Sequence, residues 1–363
     1  MYQNKELLLS PAEVKSGKVS WKSPSNIALI KYWGKHGRQL PRNPSISFTL
    51  NNAYTETTVS YTSKEGSHGA VDFDFFFDGE KKESFYPKLE KFLNGILDVF
   101  PFLTQLHLHI ESKNSFPHSA GIASSASAMS ALALCICSIE EEIFGINEGE
   151  DAFRQKASYV ARLGSGSACR SVYPAAALWG KSISIENSSD EYAIPFQDKI
   201  HPIFKDFNND ILIVSKEEKG VSSTQGHALM ENNVYADSRY KQAKIRLNNM
   251  VRALKEGDVE TFGTLVENEA LSLHAMMMAS HNPFILIKPN TLILIDLIKN
   301  FRKESKIPLY FSLDAGPNPH LMYPAEHNAE VKGFINQILL DFCHEGQWIA
   351  DRVGSGPQKL SEI

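Results

Sequence analysis

The chain has 363 residues, 42% of them hydrophobic and 22% charged, with a formal net charge of −5. This is the make-up of a water-soluble globular protein too long for one ordinary core, and it points to two domains. The acidic balance excludes the broad basic footprint of a nucleic-acid binder, so any anionic ligand must be held by a local basic pocket.

The longest apolar stretch, 126–139, is too short and too rich in serine to span a bilayer, and reads as a buried core helix. The apolar run 7–9 is too short for a signal peptide. The cysteines, Cys135, Cys137, Cys169 and Cys343, show no zinc-ligand spacing with histidines. They read as small core residues in a reducing compartment, and a cytoplasmic enzyme is the expectation.

Residues 1–18 are polar and read as a loosely held lead-in. A strand and turn over 19–30 run into Asn26-Ile27-Ala28-Leu29-Ile30-Lys31-Tyr32-Trp33-Gly34-Lys35. Two lysines, a tyrosine and a tryptophan beside a glycine suit an anion-binding loop, but taken alone the stretch more often makes a surface loop with an aromatic anchor. Pro41-Arg42-Asn43-Pro44 marks a turn, after which 45–62 alternates like paired strands interrupted at Asn51-Asn52. The segments 71–77 and 81–86, joined by Asp78-Gly79, spell a hairpin. Residues 89–100 place Leu89, Phe92, Leu93, Ile96 and Phe100 on one helical stripe.

Residues 105–112 put Leu106, Leu108 and Ile110 on one face of a strand. A loop of small residues, from Phe116-Pro117-His118-Ser119 through Gly121 and Ala123 to Ala128, leads into a helix over 129–144 closed by Gly145. Strand, small-residue loop and helix start form an arrangement that cradles phosphate, because the backbone comes close and free N–H groups and the helix dipole face the anion. Ser124, Ser125 and Ser127 add hydroxyls for phosphate oxygens or a magnesium ion. Tight helix packing would use the same small residues. The loop is neither a Walker A loop nor a dinucleotide fingerprint.

A helix over 152–163 runs into Gly164-Ser165-Gly166-Ser167-Ala168-Cys169-Arg170-Ser171. The single arginine suits a carboxylate that must be gripped in one orientation, since its fork reaches both oxygens; an exposed Ser/Gly loop has the same composition. A strand is expected over 178–185, and the polar stretch 196–209 sets a boundary between units 1–205 and 206–363. A strand over 211–215 precedes Lys219-Gly220-Val221-Ser222-Ser223-Thr224-Gln225-Gly226, whose hydroxyls suit a helix cap. Helices are expected over 235–254, 259–278, 291–301 and 330–342, with Met276, Met277 and Met278 as core filling. The strand 309–313 ends in Asp314-Ala315-Gly316-Pro317-Asn318, where the carboxylate is a candidate base or magnesium ligand, or simply a turn former. Gly354-Ser355-Gly356-Pro357 suggests no function.

Taken together, five of these clusters resemble the diphosphomevalonate decarboxylases of the GHMP kinase superfamily. Asn26 to Lys35 is similar to that family's Asn-Ile-Ala-x-x-Lys-Tyr-Trp-Gly-Lys stretch, and Phe116 to Ala126 to its Phe-Pro-Thr-Ala-Ala-Gly-Leu-Ala-Ser-Ser-Ala loop, with His118 and Ser119 as departures. Gly164 to Ser171, Val221 to Gly226 and Asp314 to Asn318 repeat its other motifs unchanged and in order. The Gly-Gly of the family shortly after the arginine is here Pro174-Ala175, which affects local backbone shape.

The resemblance implies an α+β, two-domain GHMP kinase-like fold, with a ribosomal protein S5 domain 2-like N-terminal domain, a ferredoxin-like C-terminal domain and the active site in the cleft between them. It implies ATP-dependent conversion of mevalonate 5-diphosphate to isopentenyl diphosphate with release of carbon dioxide. By the same resemblance, Ser124 and Ser125, with Gly121, Ala123 and Ser165, hold the ATP phosphates, and Ser124 the magnesium ion. Lys113, Asn114 and Ser115 lie near the nucleotide. Asn26, Tyr32, Lys35, Ser167, Ser223 and Thr224 bind the substrate, Arg170 grips its carboxylate, Asp314 sits at the 3-hydroxyl, and Lys219 places a charge near the transferred group. The segment 164–170 contains no acid where small-molecule kinases of the superfamily keep an aspartate, which favours a decarboxylase. The rival readings are a phosphomevalonate decarboxylase or mevalonate 3-kinase of the same fold, and a non-catalytic ligand sensor. A homodimer is the expected assembly.

Overall fold

A 14-residue strand, β1 (Gly17–Ile30), begins the ordered framework and leads to the site. The structure, a computed structural model, describes residues 1–10, 16–64, 69–117, 122–217 and 223–361, leaving out the side chains of residues 223 and 224. Behind β1 come a small hairpin, β2 (Lys35–His36) and β3 (Leu40–Pro41), and the 19-residue β4 (Ser45–Ser63). Next are β5 (Asp72–Phe77) and β6 (Glu80–Lys81), then the helix α1 (Tyr86–Gly95) and β7 (Leu106–Asn114). Asp78 and Gly79 both adopt positive φ, 50° and 80°, as a two-residue hairpin turn requires. The helices α2 (Ser124–Phe144) and α3 (Glu150–Gly164) precede β8 (Ala176–Trp179) and β9 (Ala193–Pro195).

These strands form one sheet in the order β1-β4-β7-β5-β6, with β8 on the other end of β4 and β9 on β8. All pairings are antiparallel except β5 with β7. Helix α2 packs on β1 and β4, and its residues from Met129 to Glu140 are buried throughout. Its cysteines, Cys135 and Cys137, are core residues, as is Cys169.

A short helix α4 (Pro202–Lys205) and β10 (Phe207–Leu212) open the second half. Helices α5 (Ser223–Ala228), α6 (Ala236–Glu256), α7 (Val259–Met278) and α8 (Pro289–Ser305) follow, then β11 (Tyr310–Ser312), β12 (His320–Pro324) and α9 (Asn328–Gln337). With β13 (Trp348–Ile349) the second sheet runs β11-β12-β10-β13. The chain then crosses back, and β14 (Gln358–Lys359) adds itself to the free edge of β1. Helix α7 packs on both β1 and β11, which makes it the element that sets the ends of those strands against each other. No helix among the described residues is long and apolar enough to cross a membrane.

Several boundaries differ from the sequence reading for physical reasons. The segment 45–63 is one strand, but its pairing with β1 lapses between Thr49 and Tyr54. The freed amides of Asn51, Asn52 and Ala53 instead donate to the carboxylate of Asp351, each at 2.8 Å. The strand expected over 178–185 stops at Trp179, because Gly180 turns with φ of 105° against Pro44. The 1–18 lead-in is tied down in part: Leu9 is buried, and its amide donates to the Gln105 side chain. The Gly354 motif has a structural role. The Gly354 amide donates to Thr49 O while its carbonyl accepts from Ala175 N, and a Cβ at Gly354 would lie 2.2 Å from Leu50 O. Ala175 itself carries φ of 52°, so the departure from Gly-Gly keeps a left-handed turn on a residue that pays for it in strain.

Candidate active site

A cavity of about 330 Å³ lies where the end of β1, the start of α2, the residues after α3, α5 and the segment after β11 meet. It brings together Asn26, Tyr32, Lys35, Ala123, Ser125, Ser165, Ser167, Arg170 and Asp314, nine of the residues singled out in the sequence. It also brings in Lys31, Trp33, Gln39, Lys88 and His227. Lys219, Gly121 and the side chains of Ser223 and Thr224 lie outside the described residues. Lys113, Asn114, Ser115 and Ser124 do not line this cavity. Lys113 pairs with Glu56 at 2.8 Å, Asn114 accepts from Thr55, and Ser115 donates to Asn52 O.

Arg170 closes the short 3-10 helix Gly166–Arg170 and is buried. Its Nε donates to Ser47 Oγ at 2.9 Å, Nη1 to Ser45 Oγ at 2.5 Å and Nη2 to Asn26 Oδ1 at 3.4 Å. All three partners are neutral, and no carboxylate forms an ion pair with it among the described residues. Burial pulls the guanidinium below its ordinary pKa, with Cys169 and Asp314 opposing the shift. A buried cation fixed in orientation but lacking a counter-ion is a seat for an anionic group. Asn26 donates to Ser171 Oγ at 2.8 Å and Ser167 O at 3.2 Å, so it braces the arginine and the segment that carries it.

Asp314 follows β11 and pairs with Lys31 Nζ at 2.9 Å. Lys31, only 2% exposed, also donates to Ser312 Oγ at 3.0 Å. Its backbone amide donates to Glu269 on α7, a fully buried carboxylate that also pairs with Arg239 and Arg246 of α6. Further along α7, His274 Nε2 donates to the Asp314 carbonyl at 3.0 Å. One helix thereby fixes the ends of both strands that carry the lysine and the aspartate. Sequence reasoning passed over Lys31 although it stands within the 26–35 motif. The signal was there: a lysine directly after a buried β-strand needs an acid partner.

The opposite wall is cationic. Lys35, half-buried and donating to Gln39 at 2.9 Å, has its pKa lowered by burial and then by Lys91. Lys88 of α1 and the buried hydroxyl of Tyr32 complete it, and that hydroxyl has no hydrogen-bond partner. A Cβ at Gly166 would lie 2.9 Å from the Tyr32 oxygen, so only glycine leaves the ring its place.

Helix α2 starts five residues before the expected point and places Ser124 and Ser125 on its first turn. Ala123 precedes it with φ of 48° and gives no side-chain cap, and no acid occupies the first turn; the Ala126 amide donates to Ala123 O at 2.7 Å, which leaves the amides of Ser124 and Ser125 to face an anion. Ser125 Oγ is within 3.2 Å of Ser165 Oγ, linking this end to the arginine segment. Ser127, read as a phosphate hydroxyl, is instead buried and bonded to Thr55 Oγ1 and Ser124 O.

Comparison with known proteins identifies the family to which this fold and these motifs belong. Residues 23–193 match the diphosphomevalonate decarboxylase-like N-terminal domain, and residues 210–359 match the mevalonate 5-diphosphate decarboxylase C-terminal domain. The diphosphomevalonate decarboxylase of Debaryomyces hansenii is 32% identical over 86% of this chain and 81% of its own, and that of Saccharomyces cerevisiae 31% over 87% and 80%. Among solved structures, mevalonate diphosphate decarboxylase from Staphylococcus aureus superposes with a TM-score of 0.80 at 29% identity, over 96% of this chain and 98% of that one. A structure described as MDDEF in complex with MVAPP, AMPPCP and magnesium superposes with a TM-score of 0.79 at 28% identity, over 96% and 100%. With both halves matched in order, and relatives more than 30% identical over most of their length, the chain belongs to the diphosphomevalonate decarboxylase family.

Proposed function

We propose that this chain converts mevalonate 5-diphosphate and ATP to isopentenyl diphosphate, ADP, phosphate and carbon dioxide. The observation that carries this is a single cavity with an arginine that has no ion-pair partner among the described residues, a strand-end carboxylate and a cationic wall. Arg170 holds the C1 carboxylate with its fork. Asp314, kept in place by Lys31, orients the tertiary 3-hydroxyl and takes its proton as the oxygen attacks the γ-phosphorus and ADP leaves. The C3–O bond then breaks with its electron pair going to phosphate. The C1–C2 pair forms the new double bond as carbon dioxide departs. The charge of Asp314 favours the positive centre that develops at C3, and Arg170 keeps the departing carboxylate aligned with it.

Tyr32 and Lys35, with Ser167 nearby, hold the diphosphate end. Ser223 and Thr224, from the Val221 to Gly226 motif, belong to the same proposal, as does Lys219 near the transferred phosphoryl group. The first turn of α2 receives the nucleotide phosphates. The donors present fit magnesium carried in by those phosphates: serine hydroxyls stand at the helix start, and no group of three His, Cys, Asp or Glu suited to a metal occurs among the described residues. Magnesium supplies charge neutralisation on the phosphates when bound. The relative whose structure holds MVAPP and AMPPCP together supports both substrate sites.

The division into units 1–205 and 206–363, a homodimeric assembly and a cytoplasmic setting are part of the same proposal. Purified protein with MgATP and, in turn, mevalonate, its 5-phosphate and its 5-diphosphate tests the reading. ADP, phosphate and carbon dioxide in equal amounts from the 5-diphosphate is the expected result. ADP without carbon dioxide would make it a 3-kinase, a preference for the 5-phosphate would change the substrate, and binding without turnover would make it a sensor.

A further inference from the structure

His227 stands on the cavity wall and belongs to none of the motifs that suggested the function. Helix α5 carries it, and Gly226 lets that helix lie against Trp33, since a Cβ there would come within 2.5 Å of the indole. The imidazole packs beside Tyr32 and Trp33, with ring centroids 4.3 and 4.7 Å away. Its Nδ1 accepts the Gly34 amide at 2.9 Å, and Gly34 has φ of 91° in a place where a Cβ would strike Tyr240. An Nδ1 that accepts a hydrogen bond carries no proton, so the neutral ring has its N–H at Nε2.

That Nε2 makes no hydrogen bond to any described residue, and it is not among the sealed polar atoms that lack partners. It therefore opens onto the cavity. Burial, and then nearby Lys35, push the ring down to about 3, which keeps it neutral at physiological pH. Beside it the Tyr32 hydroxyl lacks a partner too, although, unlike Nε2, it is sealed by the side chains around it. Two orphaned donors thus flank a wall that already carries Lys35 and Lys88. A donor held out of bulk water without an acceptor is costly, so an anion that supplies acceptors along this wall recovers that cost.

We infer that His227 is a further substrate-binding residue, its Nε2–H donating to a phosphate oxygen at the diphosphate end of the substrate beside the Tyr32 hydroxyl. The inference rests on the proposed reading for the identity of the substrate, but the donor geometry calls only for a phosphate-like anion. A neutral donor adds a directional contact without adding to the repulsion among the cations around it. It favours an anion whose oxygens reach across the cavity from Lys35 to α5.

Two substitutions separate this role from a structural one. Asparagine at 227 reproduces the Nδ1 acceptor for Gly34 and lacks the donor to the cavity. Glutamine reaches the Nε2 position with an N–H and gives up the Gly34 contact. With inorganic pyrophosphate as probe, calorimetry on the whole protein should show His227→Asn weakened by roughly tenfold or more, the size of one hydrogen bond to a charged group. His227→Gln should stay within about threefold on the same scale. In steady state the KM for mevalonate 5-diphosphate should follow the same order, with the loss in KM rather than kcat and the KM for ATP unmoved. Wild-type affinity in His227→Asn, equal losses in both variants, or no pyrophosphate binding by the wild type would each overturn the inference. A wild type that splits the two variants on pyrophosphate yet leaves mevalonate 5-diphosphate unchanged would sink the functional reading and leave this one standing.

Discussion

Replacing Asp314 by asparagine keeps the shape of the side chain and removes its charge, and the structure sets two consequences of different size. The first is on stability. Lys31 is 2% exposed and has two side-chain partners, Asp314 at 2.9 Å and the neutral Ser312 at 3.0 Å. Removing one member of a buried pair costs about 3–5 kcal/mol. Because Asp314 is 22% exposed, the lower end, about 3 kcal/mol, applies. With an unfolding entropy of about 2.1 cal/mol/K per residue, that lowers Tm by about 4 °C. The second consequence is on turnover. Losing the proton acceptor and the charge facing C3 together should lower kcat by about a thousandfold, roughly 4 kcal/mol of barrier. Calorimetric melting and release of ADP and carbon dioxide by the same preparation measure both. The double variant Lys31→Met/Asp314→Asn removes the stranded ammonium, so it should regain much of the Tm and none of the kcat. A folded Asp314→Asn protein that keeps more than a tenth of wild-type kcat would refute the role given to the carboxylate, and an unchanged Tm would refute the energetic weight given to the Lys31 pair.

Arg170→Lys should lower turnover by about a hundredfold while leaving ATP affinity in place, because a point charge cannot reproduce contacts to Ser45, Ser47 and Asn26 and still present a fork to the substrate; near-normal turnover removes the clamp from the mechanism. Ala175→Gly should stabilise by roughly 0.5–1 kcal/mol, since relief of a positive-φ alanine outweighs the added freedom of the unfolded chain; a denaturant midpoint that stays put or falls rules out strain there. Asp210 is pushed up to about 6, chiefly by burial and against the hydrogen bonds from Tyr323 Oη and the Asp351 amide. Its folded pKa lies above its unfolded value of about 4, so its contribution is fully present below that value and is lost as pH rises through about 6. Asp210→Asn should flatten the fall in stability across that window in denaturant titrations, and an unaltered slope would place the proton elsewhere.

Much of the site was legible in the sequence because its chemistry is carried by contiguous pieces. A helix start able to face a phosphate needs small residues in a row, and 122–128 supplies them across the start of α2. An arginine held in one orientation needs a tight segment, which Gly164 to Arg170 spells out, and a strand-end acid announces itself at Asp314. Helices with clear periodicity were found closely, Val259–Met278 among them. Their apolar stripe is a property of residues three and four apart, and it survives in one dimension.

The partnerships were decided by the tertiary structure. Lys31 meets Asp314 across 283 residues, Gly34 meets His227 across 193, and Asp351 caps the amides of Asn51 across 300. No local spacing encodes such pairs; they exist because β1 and β11 end beside the same helix and the chain returns from the second sheet to the first. The break read at Asn51-Asn52 was real as a loss of ladder pairing, yet whether it became a turn or a continuous strand depended on a carboxylate arriving from the other end of the chain. His227 shows the same division. The sequence placed a histidine after Gly226, and only the packing of α5 on Trp33 turned one of its nitrogens inward to Gly34 and the other toward the cavity.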